Sequence, residues 1–561
     1  MSREKIIFFI VFIFSAGALA YGNTLAIEKS LYWELRWLDL CIHLLAGFLI
    51  GLTYFSIWFR RSSEPPYSLL WLIAGSLIAA LLVGIAWEVL EWWLGLVLLD
   101  SAGLVDTALD LLLDCGWDWM CDQRTRTCYG GAGGVTGADG LLEGVPGKFL
   151  IDCGLLQGKK FAEQDNARDF AYDPASITAL VVTHAHLDHI GRIPKLVRDG
   201  FKGTIYSTLP TKDIVPLMFR DALSVMRAEQ DPGEKLLYEE KDIEAALSLW
   251  RGLPYREPID LGNGLSLQFK DAGHILGSAM AEFSYGEGKL LATGDLGNSP
   301  SLLLPDTDSP AGATYLLMES VYGDRNHEPK DARDSRFKEA LEETIARGGT
   351  AVIPAFSLER TQDILFVLNN LIESGALPSV PVYLDSPLAI KVTEVYKQYA
   401  PYFKSSVSER IRGGDDIFNF PKLKLSESGR DSAHIHARPG PKIILAGSGM
   451  SAGGRVKRHE AEYLPEEKNA VILVGYQSLF TLGRQLEEGA REVTIEGARV
   501  PVRARIVPIR GFSSHKDLDH LVEFVGQAAP TLKDVFVAMG EPKASMFLAQ
   551  RLRDYLGVHA S

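Results

Sequence analysis

Long apolar runs open the chain and give way, after residue 113, to short apolar runs punctuated by glycine. Ile6–Tyr21 carries no charge and follows Arg3 and Lys5. Leu38–Phe59 and Leu69–Trp87 are each long enough to cross about 30 Å of hydrocarbon. The pattern predicts a transmembrane helical region over 1–113, although Ala18-Leu19-Ala20 also resembles a signal-peptidase site that would remove the first run. Arg3, Lys5, Arg60 and Arg61 orient their flanks toward the cytoplasm. A fourth crossing over Trp92–Leu113, interrupted by Asp100, Asp106 and Asp110, would return the remaining chain to the cytoplasm. Asp39, His43, Glu88 and Glu91 lie in or beside these runs and are given no chemistry.

Residues 114–129 form a polar, aromatic and cysteine-bearing junction. Beyond it the periodicity is that of an α/β chain. Phe149–Ile151, Ala179–Thr183, Lys289–Thr293, Tyr315–Met318 and Lys442–Ala446 read as buried strands, and Leu265–Phe269 alternates as a half-buried one. His434 and His436 alternate in a segment that reads as a solvated strand edge. Several of the strands end in a polar residue next to a glycine, where the backbone can turn sharply.

Composition narrows the picture little, but charge narrows it usefully. A net charge of −14 excludes nucleic-acid binding through global positive charge, so a polyanion would need a local groove. Five cysteines in 561 residues do not make a disulfide framework. Cys115, Cys121 and Cys128 lack zinc-knuckle spacing and read as incidental.

The candidate chemistry is concentrated in Thr183-His184-Ala185-His186-Leu187-Asp188-His189. At the end of an extended strand, His184 and His186 point to one side and can share a cation, while the following turn carries Asp188 and His189 to a second position. Imidazole with carboxylate suits Zn2+ first, with iron or manganese as alternatives.

Asp152, the His184–His189 cluster, His274 in D-A-G-H-I-L-G and Asp295 in A-T-G-D-L-G occur in the order of four motifs of the metallo-β-lactamase superfamily, which the chain resembles. Glu319-Ser-Val-Tyr-Gly-Asp-Arg325, Ile353–Gln362, Gly447–Arg455, Gly475–Arg484 and Gly511–His515 further resemble the β-CASP branch, which includes the cleavage and polyadenylation endonuclease. The resemblance implies an αββα sandwich with an inserted cap. The expected divisions are a first lactamase part over 130–318, a cap over 319–485 and a second lactamase part over 486–561. It also implies two zinc ions: one held by His184, His186 and His274, the other by Asp188 and His189, with Asp295 bridging and Asp152 steadying the ligand loops. Glu319 would orient His515 as the catalytic acid, and Asp188 would orient a hydroxide activated by two metals.

Met539 stands where the RNA-processing members carry a further histidine, so the second ion is expected to be held more weakly; His520 is a candidate substitute. Ser357, Arg360, Gly449 and Arg455 are candidate substrate contacts, as is Gln362. The expected function is a membrane-tethered, metal-dependent phosphodiesterase acting on nucleic acid, RNA ahead of DNA. A DNA nuclease and a small-ester or thioester hydrolase are the alternatives. The resemblance also allows a homodimer.

Overall fold

Leu265–Asp271 alternates buried and half-buried positions along its whole length, as a strand does when only one face meets a core. It lies in one of two six-stranded sheets that carry the site. The computed structural model describes residues 126–561 except 131–134, 144–145, 158–161, 230–234 and 478–480. The expected membrane crossings, the signal-peptidase-like site, Cys115 and Cys121 lie outside the described residues. Among the described residues, no helix is long and apolar enough to cross a membrane.

The first sheet runs in sequence order through β1 (Arg126–Gly130), β2 (Asp139–Leu142), β3 (Phe149–Ile151), β4 (Ala179–Val181), β5 (Thr204–Thr208) and β6 (Trp250–Leu253). The second contains β7 (Ile259–Gly262), β8 (Leu265–Asp271), β9 (Ala279–Tyr285), β10 (Gly288–Ala292) and β11 (Tyr315–Met318), and is completed by a strand from near the C-terminus. Phe149, Ile151 and Val181 from the first sheet share one buried layer with Leu267, Phe269, Phe283 and Tyr315 from the second. Each large side chain fully buried there contributes about 1.5–3 kcal/mol. Helices Leu518–Gly526 and Pro542–Leu556 pack through Leu521, Phe524, Leu548 and Leu552 on the outer face of the second sheet. These layers make the expected αββα sandwich.

The cap has its own parallel sheet. In chain order its strands are β12 (Thr350–Pro354), β13 (Val382–Asp385), β14 (Leu423–Leu425), β15 (Lys442–Ala446) and β16 (Ala470–Leu473); a hairpin follows of β17 (Glu492–Ile495) and β18 (Ala498–Pro501), and β19 (Arg505–Pro508) pairs with β16. β20 (Asp534–Val537) then joins β11 in the sandwich. Two boundaries therefore differ from the expected ones. Arg126–Gly130, assigned to the junction up to residue 129, is a strand paired with β2. Within 486–561, assigned to the lactamase part, β19 joins the cap sheet, because Ile506 and Val507 find their ladder partners in Val471 and Ile472.

His434 and His436 are also placed differently. They sit on a helix, Gly429–His436, started by a capping box in which Ser428 and Asp431 satisfy each other's backbone N–H groups. Ile435 faces the core, and His436 bonds at 2.9 Å to His459. The alternation of two histidines is thus a poor guide where a serine cap precedes them.

Candidate metal centre

The site forms where the ligand-bearing loops leave the strand ends of both sheets. Two glycines permit the approach. A Cβ on Gly154 would fall 1.5 Å from the Asp188 carbonyl oxygen, and one on Gly297 would fall 1.9 Å from that of Gly273. Asp152 follows β3 at a positive φ of 62°, which turns its carboxylate into the next loop. Its Oδ1 accepts from the Thr183 backbone N–H at 2.7 Å, and its Oδ2 accepts from Thr183 Oγ1 at 2.8 Å and His189 Nδ1 at 2.7 Å.

These bonds fix which ring nitrogen each histidine presents. With its Nδ1–H donated to Asp152, His189 turns Nε2 toward the site, buried and without a hydrogen-bond partner, as is Asp295 Oδ1 3.4 Å away. His184 bonds to Thr183 Oγ1 through Nδ1, and His274 donates Nδ1–H to the Ser514 carbonyl, leaving Nε2 of each for the site. His184 Nε2 and His186 Nδ1 are 3.1 Å apart, and His274 Nε2 and His186 Nδ1 are 3.3 Å apart. Asp295 Oδ2 lies 3.5 Å from both His184 Nε2 and His274 Nε2. Donors about 2.0–2.1 Å from one tetrahedral cation stand roughly 3.3–3.4 Å apart. His184, His186, His274 and Asp295 therefore fit one divalent ion, and they form one of two groups among the described residues whose ligand atoms converge closely enough to hold a metal.

The second group is Asp295, Glu319 and His515. Asp295 thus stands between the first group and a neighbouring position bounded by His189, with Asp188 Oδ2 3.9 Å from His189 Nε2. Burial holds the His184 and His274 rings well below their usual pKa and takes His186 down to about 3, so all three present neutral lone pairs. Burial also lowers His189, but Asp295 and Asp152 outweigh it and raise it well above the usual value. Burial raises Asp188 to about 6. A buried, anionic, electron-rich cluster with two unsatisfied donor atoms calls for cations.

His515 sits beside this cluster, one quarter exposed. Its Nδ1 lies 3.2 Å from both oxygens of the fully buried Glu319. Glu319 Oε1 also accepts the Leu296 N–H, tying the acid to the loop that carries Asp295. The Asp295 and His515 loops are zipped further by Asn298 N to Ser514 O and Lys516 N to Leu296 O. His327, which no sequence pattern singles out, donates Nε2–H to the His515 carbonyl and packs against Tyr322. Met539, buried at a positive φ of 48°, lines a cavity with Asp152, His189 and Glu319. His520 bonds to Asp517 and belongs to neither ligand group.

The candidate substrate residues are partly committed elsewhere. Arg455 donates to Asp385, Ser426 O and Glu427 O, so its guanidinium braces the cap instead of standing open in a groove. Ser357 bonds to Ser386, and Gln362 bonds to Thr393 and the Ser357 carbonyl. Gly449 lies so close to Phe356 that a Cβ would meet its ring at 2.7 Å. Arg360 reaches from the cap to Ser514 Oγ at 3.0 Å, with Nε and Nη1 buried and without hydrogen-bond partners.

Behind the Gly447–Arg455 loop, burial raises Glu460 to about 8 while Ser451 donates to it. The folded state thus binds a proton that the unfolded state, with an ordinary carboxylate, releases near pH 4. Stability from this group is intact below that pH and is lost as pH rises toward 8. Glu460→Gln is expected to raise Tm at pH 8–9, by a stabilisation of about 3–5 kcal/mol, and to leave it unchanged near pH 4. Thermal unfolding at the two pH values checks this.

Family comparisons agree with the geometry part by part. The metallo-beta-lactamase superfamily model matches residues 133–343, the Beta-Casp domain model 361–486, and the model described as a Zn-dependent metallo-hydrolase RNA specificity domain 499–561. A model described as a predicted membrane protein (DUF2238) matches 3–116. Ribonuclease TTHA0252 of Thermus thermophilus is 39% identical over 76% of this chain and 95% of its own length. An RNase J-like protein of Methanocaldococcus jannaschii is 35% identical over 73% of this chain and 91% of its own. Transcription termination factor FttA of Methanosarcina mazei is 33% identical over 76% and 69%.

Proposed function

We propose that this chain, which belongs to the β-CASP branch of the metallo-β-lactamase superfamily, is a metal-dependent RNA-processing nuclease that cleaves phosphodiester bonds. The observation that carries this is the set of four converging donors, His184 Nε2, His186 Nδ1, His274 Nε2 and Asp295 Oδ2, in which each lies 3.1–3.5 Å from two of the others and all ligand atoms lie within 4.8 Å of one another. Those four would hold one ion, and Asp188, His189 and Asp295 the other, with zinc the best match to the donor set. When bound, such a pair supplies an activated water at neutral pH and charge stabilisation for both oxygens of an in-line displacement at phosphorus.

The chain's own groups do the rest. Asp152 keeps the proton of His189 on Nδ1, so that Nε2 stays available. Asp188 orients the attacking water. Glu319 holds Nδ1–H of His515, which leaves the other ring nitrogen to protonate the departing oxygen. The cap reaches the site through Arg360 to Ser514 and through Glu359, which accepts the Leu276 N–H. Met539 offers only a thioether, a poor ligand beside carboxylate and imidazole, so the second ion would be held more loosely than the first. The match over 3–116 supports an N-terminal membrane anchor for the enzyme.

Incubating the full chain with labelled single-stranded RNA, single-stranded DNA and a generic carboxylic ester, with and without chelator, tests the reading. Chelator-sensitive cleavage with RNA preferred is expected. Ester hydrolysis without RNA cleavage would overturn it.

A further inference from the structure

Phe356 and Tyr476 are the large exposed aromatic side chains of the cap among the described residues, each 38% exposed. Phe356 lies two residues beyond β12 and Tyr476 three beyond β16, and these strands are parallel neighbours. Both residues therefore follow neighbouring strand ends at the carboxyl edge of the cap sheet, the edge at which open α/β sheets take ligands. That edge is turned to the metal centre. The loop holding Phe356 also carries Glu359 and Arg360, which bond to Leu276 and Ser514, and the Tyr476 hydroxyl is 3.5 Å from Glu541 in the lactamase part. Tyr322, whose ring is 6.2 Å from that of His515, lies under the Arg325 guanidinium.

Phe356 and the residue after Tyr476 are held by their neighbours. The Phe356 carbonyl accepts from Thr361 N at 3.1 Å and Thr361 Oγ1 at 2.7 Å. Gly449 gives the Phe356 ring a flat backbone bed. Gln477, next to Tyr476, bridges the carbonyls of Gly449 and Gly475 at 3.1 and 3.0 Å. An aromatic ring left in water but fixed in orientation adds little to the core and loses little entropy when a flat partner docks. A chain with net charge −14 also gains little from neutralising many phosphates, whereas stacking on a base does not depend on charge.

We propose that Phe356 and Tyr476 form a stacking subsite for unpaired bases of single-stranded RNA, which positions the strand relative to His515. This rests on the ribonuclease reading above. The test uses the full chain and an unstructured RNA oligomer, intact or with abasic positions flanking the cut. Phe356→Ala and Tyr476→Ala should each lower kcat/KM on intact RNA about tenfold, mainly through KM. Phe356→Tyr and Tyr476→Phe should restore it. Abasic RNA should cost the wild type at least a similar factor, each single alanine variant less than it costs the wild type, and the Phe356→Ala/Tyr476→Ala double variant nothing further.

Alanine variants that cleave intact RNA like wild type, losses that an aromatic replacement does not rescue, or an abasic penalty undiminished in the variants would each overturn the subsite alone. A wild-type chain that neither cleaves nor binds the oligomer, read by fluorescence anisotropy, would overturn the ribonuclease reading and the subsite with it.

Discussion

Asp295→Ala is expected to yield protein depleted in metal at both positions and nearly inert toward RNA. Asp295 is the residue whose two carboxylate oxygens face different groups: Oδ2 completes the ligand group with His184, His186 and His274, while Oδ1 is buried opposite His189 Nε2. Removing it also leaves His189 without the charge that most strongly opposes its burial. Loss of a group that merely orients a ligand costs about ten- to a hundredfold in affinity or activity, so loss of this one should exceed a hundredfold in cleavage rate. Elemental analysis of the purified variant, paired with initial rates on single-stranded RNA, checks the claim. A variant that retains both ions and wild-type rate would show that Asp295 does not bridge.

His515→Ala should behave in the opposite way, losing turnover while keeping metal. The histidine is anchored from below by Glu319 and through its backbone by His327, and lies outside the His184–His186–His274–Asp295 group. General acid catalysis is worth roughly a hundred- to ten-thousandfold, and a loss in that range with unchanged metal content is expected. Glu319→Gln should reproduce part of it, since the amide no longer carries the charge facing the ring. If His515→Ala emptied a metal position instead, the residue would be a ligand and the proton donor would have to be sought elsewhere.

Much of this centre was legible in the chain because its parts are local signals. A β-branched run followed by H-x-H-x-D-H reports both the strand and its ligands, and Asp152 and Asp295 each close a short apolar strand beside a glycine. Tyr315–Met318 and Lys442–Ala446 were readable to the residue for the same reason. What was not legible depends on long-range pairing. β19 lies against β16 in the cap sheet, a partnership no local pattern announces. His327 reaches the site through a carbonyl 188 positions away. Arg455, attractive as a phosphate contact because it ends a glycine-rich loop, is claimed by Asp385, which is fully buried and needs its charge balanced. The helix that carries His434 and His436 was decided by the Ser428–Asp431 capping box upstream of the histidines.

The most direct measurement is a metal titration of chelator-stripped protein in which bound metal and cleavage of single-stranded RNA are read on the same samples. Two unequal affinities are predicted, the tighter ion filling the His184–His186–His274–Asp295 position, with cleavage returning as the looser ion binds. Full cleavage by protein that elemental analysis shows to be free of metal would contradict the assignment.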